Sequence, residues 1–155
     1  MDETTISDSY SFDRSLNRCP DARELTVVGG GIEDLGGLIR FRNLERLNLV
    51  GLYHTGTKPE FHDTLSDFSD ASSLKSVRVL TVRDCRGFDD AALEVVAQMP
   101  KLEAFMLDSF MATVAGFEPL QFAKRLLCLC VTVCPRELAD TMPPGIECIL
   151  SLIHI

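Results

Sequence analysis

Residues 77–93 read VRVLTVRDCRGFDDAAL, and the spacing of that stretch decides the fold. Val77, Leu80 and Val82 are apolar, with two residues and then one between them. Leu80 to Val82 alternates as a strand with one buried face does. Cys85 follows three residues after Val82, and then come Phe88, Asp89, Asp90 and Leu93. Asp89 or Asp90 is suited to cap a helix and to complement its dipole. Ala92, Val95, Val96 and Met99 fall at helical spacing and Pro100 ends the run, which predicts a helix over 89–99. The unit is strand, turn, return helix.

The same apolar spacing recurs along the chain. It is found at Ala22, Leu25 and Val27; at Leu44, Leu47 and Leu49; at Leu102, Phe105 and Leu107; and at Leu126, Leu129 and Val131. A partial copy begins at Ile146 and Ile149. The copies start near 22, 44, 77, 102, 126 and 146, about 20 to 33 positions apart. In each, alternate residues point inward, so Leu47 and Leu49 enter a core while Asn48 faces out. One such strand cannot bury its face alone, whereas parallel stacking of successive copies buries a continuous seam. Leu25, Leu47, Leu80, Phe105 and Leu129 are expected to meet there. Shorter return segments are expected over 33–40, 114–124 and 136–141.

These features resemble the leucine-rich repeat, best in its cysteine-containing subclass. Cys85 and Cys134 stand where that family places Asn or Cys. Phe88, Asp89, Asp90 and Leu93 match the subclass's stretch after the turn, and 112–117 matches it shifted by one residue. The resemblance covers roughly residues 22–149. It implies an α/β fold: a leucine-rich repeat solenoid with short parallel strands on the concave face and helices and loops on the convex face. The subclass is similar to the substrate-reading repeats of F-box proteins, which implies the recognition arm of a ubiquitin-ligase adaptor. No F-box helices are present in the chain.

Some stretches depart from the pattern. Copy two has Leu52 at the Asn/Cys slot and His54 where an apolar residue is expected, followed by a long insertion at 53–73. The insertion reads as a longer return loop with a helical turn around 61–68, or as a partner-binding loop. The last six residues, LSLIHI at 150–155, match a translated transposase adapter of the kind used in sequencing libraries, so a non-native tail is expected there. Residues 1–21 read as an N-terminal segment, either the end of a truncated repeat or an irregular cap, and whether Met1 is the native start stays open. A solenoid cut inside a repeat exposes apolar surface at its end.

Composition narrows the function classes. The chain has 155 residues, 46% of them hydrophobic and 25% charged, a globular balance. A formal charge of −8 opposes nucleic acid as the main partner. The longest apolar run, 126–134, is too short to span a bilayer, and no basic-then-apolar leader is visible. Six cysteines without a secretory signal read as reduced thiols, which fits a cytoplasmic or nuclear location.

Chemistry-like motifs fail on inspection. Residues 27–32 begin like a dinucleotide fingerprint, but Asp34 would put a carboxylate where a pyrophosphate must bind. Cys128 and Cys130 share one face of a strand while Cys134 lies in the turn, so three thiolates do not converge on zinc. His54, His62 and His154 form no motif with a nucleophile, and capping accounts for Asp89 and Asp90. No catalytic residue, cofactor or metal is expected, and the oligomeric state is not legible.

Alternation assigns the outward residues: Arg23, Glu24, Thr26 and Val28; Glu45, Arg46, Asn48 and Val50; Arg78, Val79, Thr81 and Arg83; Glu103, Ala104, Met106 and Asp108; Leu127, Cys128, Cys130 and Thr132. From these a protein-binding face is expected around Arg23, Thr26, Arg46, Asn48, Arg78, Thr81, Arg83, Met106, Asp108, Cys128 and Cys130. Arg, Met and exposed apolar side chains suit a protein interface. The leading expectation is a non-catalytic interaction scaffold. The alternative is a repeat fragment of a larger receptor or enzyme whose catalytic or nucleotide-binding domain lies elsewhere.

Overall fold

The computed structural model describes residues 3–6, 17–28, 36–51, 68, 71, 74–85, 88–108, 112–132, 138, 142 and 145–151. They form a mixed α/β structure around one parallel sheet. The strands are β1 (Glu3–Ile6), β2 (Glu24–Val28), β3 (Arg46–Val50), β4 (Val79–Arg83), β5 (Ala104–Asp108), β6 (Cys128–Thr132) and β7 (Glu147–Ser151). They lie in the order β1-β2-β3-β4-β5-β6-β7, every neighbouring pair parallel. A helix α1 (Asp90–Ala97) joins β4 to β5. Two 3-10 helices, η1 (Gly36–Arg40) and η2 (Ala115–Phe122), precede β3 and β6.

Sequence neighbours being sheet neighbours has a packing consequence. Leu25, Leu47, Leu80, Phe105 and Leu129 fall in one register row, and Val27, Leu49, Val82, Leu107 and Val131 in the next. All ten are buried in a single cluster. Burying each such side chain contributes about 1.5–3 kcal/mol before the entropy of ordering is set against it. The seam expected from the sequence is present.

Each strand opens in the same way. The N–H groups of Glu45 and Arg46 both donate to the Arg23 carbonyl, at 2.8 and 2.9 Å. Arg78 and Val79 repeat this on Glu45, Glu103 and Ala104 on Arg78, and Leu127 and Cys128 on Glu103. The pairing therefore reaches one residue before each strand, and Arg23, Glu45, Arg78, Glu103 and Leu127 form an edge row. At the other end the chain turns away through positive φ, 62° at Gly51 and 51° at Asp84. The Cys85 thiol, fully buried, donates to the Arg83 carbonyl at 3.3 Å within this turn.

The structure amends several sequence expectations. β1 adds a strand within 1–21, paired Thr4 to Leu25 and Ile6 to Val27. A four-residue segment is too short to show periodicity, and pairing with β2 defines it. The sixth copy is out of register by one residue. Cys148, not Ile149, pairs with Leu129, while Ile149 stands opposite Cys130 and is 48% exposed. A slip of one residue exchanges the faces of a strand, so Ile149 is an outward residue. β7 also runs through Leu150 and Ser151, across the expected boundary of a non-native tail at 150.

In α1, Leu93 is buried with Ala92 and Val96, whereas Val95 is only half-buried. Most of the 53–73 insertion, including Leu52 and His54 at its start, lies outside the described residues. Phe68 and Ala71 are described and belong to the core, with the Phe68 ring edge-on to Phe88 at 5.2 Å. The end of the insertion is therefore a return segment, Phe68, Ala71, Leu74 and Val77 being buried at intervals of three. The turn at 29–34, the Cys134 slot and nearly all of 136–141 are also outside the described residues; Leu138 is described, and it is buried.

Candidate functional site

Alternation leaves one face of the sheet to side chains that the seam does not use, and register arranges them in rows. Glu24, Arg46, Val79, Ala104 and Cys128 form one row, Thr26, Asn48, Thr81, Met106 and Cys130 the next, and Val28, Val50, Arg83 and Asp108 a third. Every outward residue read from the sequence lies in one of these rows or in the edge row, Thr132 following Asp108. Arg46, Arg83 and Met106 are exposed, and Thr26, Asn48, Asp108, Cys128 and Cys130 are half-buried.

Thr81 departs from the expectation. It faces outward but is buried at 8% exposure. Its row neighbours are the longer Asn48 and Met106, and the Arg83 guanidinium reaches across to the Met106 sulfur at 3.7 Å. A small side chain flanked this way is roofed over, so Thr81 is a floor and not a contact.

Arg23 and Arg78 stand in the edge row, one position before their strands, and each meets a glutamate of the following strand. Arg23 lies 3.6 Å from Glu45. Arg78 grips Glu103 with two parallel donors, Nε at 3.1 Å and Nη2 at 2.8 Å. That fork is the geometry arginine makes best with a carboxylate. It holds the Glu103 carboxyl below the usual glutamate range, the Arg78 hydrogen bond being the main cause. Arg78 is exposed and Glu103 only partly covered, so the pair orders side chains more than it stabilises the fold.

Polar contacts also run along the face. The Asn48 amide donates to the Thr26 hydroxyl at 3.3 Å. The Thr132 hydroxyl donates to the Asp108 carboxylate and stands 3.4 Å from the Leu107 carbonyl. These bonds pre-order the surface along the strand stack.

Nothing in the arrangement activates a nucleophile. Partial burial pushes the Cys128 thiol up, with the Glu147 carboxylate adding to it, so it stays protonated at neutral pH. Cys19, Cys85, Cys128 and Cys130 are free thiols, and no metal-holding cluster occurs among the described residues. No protein-family model matches the chain, and no curated protein matches it in sequence. No described helix is long and apolar enough to cross a membrane.

Alternation placed the residues of these rows on the outward side of the sheet but missed Ile149, whose partial copy was set one residue out of register. It also missed the exposure of Phe122, 74%, at the end of η2 before β6. Met106 at 36% and Ile149 at 48% are the exposed apolar side chains in the outward rows of β5 and β7.

Proposed function

We propose that the chain is part of a leucine-rich repeat solenoid and that its outward sheet face binds a protein partner without catalysis. One observation carries the reading: five successive strands present aligned outward rows that mix charged, polar and apolar side chains in one register. A partner could bury Met106 and Ile149 while pairing with Arg46 and with Arg83, which stands beside Met106. Apolar anchors with arginine beside them are what protein interfaces concentrate. The free thiols fit a reducing compartment, cytoplasmic or nuclear.

Photo-crosslinking tests this. A photoreactive residue at Thr26, Asn48 or Cys130 should yield the same protein adduct, whereas one at Glu94 on α1 should not. Asn48→Asp, Arg83→Glu and Met106→Asp together should remove that adduct without changing the melting temperature. An adduct that forms from Glu94, or that survives the triple change, moves the site off this face.

Within this class we favour the substrate-recognition arm of an F-box-type adaptor, because Cys85 and the Phe88 to Leu93 stretch match that subclass. A stable complex with the F-box-binding component of a ubiquitin ligase, formed by the full-length gene product, supports it. A phosphate-binding loop in that gene product favours instead a fragment of a larger receptor or enzyme.

A further inference from the structure

The protein is acidic overall, yet its described cations are not scattered. Arg83 is the one described Lys or Arg at the C-terminal ends of the strands; every other precedes a strand or opens one. The turns entering β3, β4, β5 and β6 carry Arg42, Lys75, Lys101 and the pair Lys124–Arg125, all exposed. Asp84, Asp89, Asp90 and Asp108 lie on the far side, after the strands. The fold thus sorts a net negative chain into a basic edge and an acidic one.

The basic edge is concave. A groove of about 500 Å³ runs along it, bordered by Arg23, Arg42, Lys101 and Arg125. Asn43, Ser76, Arg78 and the two glutamates that Arg23 and Arg78 engage complete its lining. A second hollow of about 320 Å³, lined by Ile39, Phe41 and Leu74 beside Lys75 and Lys101, adjoins it. Arg42, Lys75 and Lys101 make no ion pair among the described residues.

We propose that this edge is a docking groove for an extended acidic segment of a partner protein. Each strand from β2 to β6 is entered past at least one of these cations, so their spacing follows the strand spacing. A distributed run of single carboxylates matches that row better than one compact dianion, which needs donors converging on a point. β2 to β6 span four gaps of about 4.8 Å, roughly 19 Å, the length of about six extended residues. The lining carries acceptors, the carboxylates of Glu45 and Glu103 and the side-chain oxygens of Asn43 and Ser76. A peptide backbone supplies N–H donors for them. A DNA backbone supplies none. The groove lies beside the outward face, and its residues are not those whose substitution tests that face.

The test is fluorescence anisotropy on the full chain at low salt, with a labelled, end-blocked peptide alternating Glu and Ser. It should bind saturably and weaken as salt rises. The Gln–Ser peptide should not bind, and oligothymidylate of equal charge should bind less well. Arg42→Glu, Lys75→Glu and Lys101→Glu together should lower affinity by about tenfold or more, as reversal of a steering patch does. Should that variant fold poorly, neutralising the same three to Gln should still lower affinity by about threefold, on the same reasoning. Arg83→Glu, at the other edge, should leave it unchanged. Absence of wild-type binding, tighter binding of oligothymidylate, or an equal loss from Arg83→Glu overturns the proposal.

Discussion

α1 and η2 occupy equivalent places, after β4 and after β5, and pack against each other, yet one is an α-helix and the other a 3-10 helix. Both deliver apolar residues at intervals of three: Leu93, Val96, Met99 and Leu102 from the first, Phe117, Leu120, Ala123 and Leu126 from the second, all buried. A 3-10 helix has three residues per turn, so such a row stays on one face. An α-helix drifts by about 60° over three residues, which brings Ala92 partly inward beside Leu93. The seam demands the spacing and tolerates either helix.

Local chemistry chooses between them. Asp89 caps α1, accepting the Ala92 N–H at 3.1 Å, and the helix holds neither Gly nor Pro. η2 is also held at its start, the Thr113 hydroxyl accepting the Gly116 N–H at 3.2 Å, but it contains Gly116 and Pro119. Gly and Pro are the residues least compatible with an α-helical interior. The two segments are joined by Asp90, whose carboxylate oxygens accept the Thr113 N–H at 2.7 Å and the Thr113 hydroxyl at 2.8 Å. The adjacent aspartates thus divide the work: Asp89 starts its own helix and Asp90 ties down the next return segment. Gly116 is required beneath that tie, since a Cβ there would collide with the Asp90 carboxylate.

If burial in the seam outweighs helix type, Leu93→Ala and Leu120→Ala should cost similar amounts, about 2–5 kcal/mol each, by denaturant melts. A difference of more than about 2 kcal/mol would mean that one return segment carries the fold, contrary to a shared seam. Gly116→Ala should cost about 1–3 kcal/mol by overpacking. Asp90→Ala should remove most of that cost when combined with it, and simple additivity of the pair would break the picture of a tie across the segments. Asp89→Ala should cost about 1 kcal/mol, the usual loss of a helix cap. Its effect on amide exchange should be confined to the first turn of α1, leaving η2 unchanged.

Much of this was legible in the residues. The spacing at Val77, Leu80 and Val82 and its recurrence predicted parallel strands with one inward seam, and alternation then named the outward rows. Legibility failed where periodicity was short or ambiguous. β1 offered four residues, and the sixth copy offered two isoleucines in a stretch that fits two registers equally well. The Phe68, Ala71, Leu74, Val77 row was obscured because it begins inside an insertion whose Gly, Pro and Asp content reads as loop. Burial of Thr81 could not be read either, since it depends on the size of neighbours 33 and 25 residues away in sequence, Asn48 and Met106.

The sequence by itself determined which side chains seek the interior, because alternation and apolar spacing are properties of the chain alone. Tertiary structure decided everything that depends on which copies become neighbours: the Arg78–Glu103 fork, the tie from Asp90 to Thr113, and the gathering of Arg42, Lys75 and Lys101 along one edge. Those pairs lie tens of residues apart, and stacking with a common register is what brings them within reach of one another.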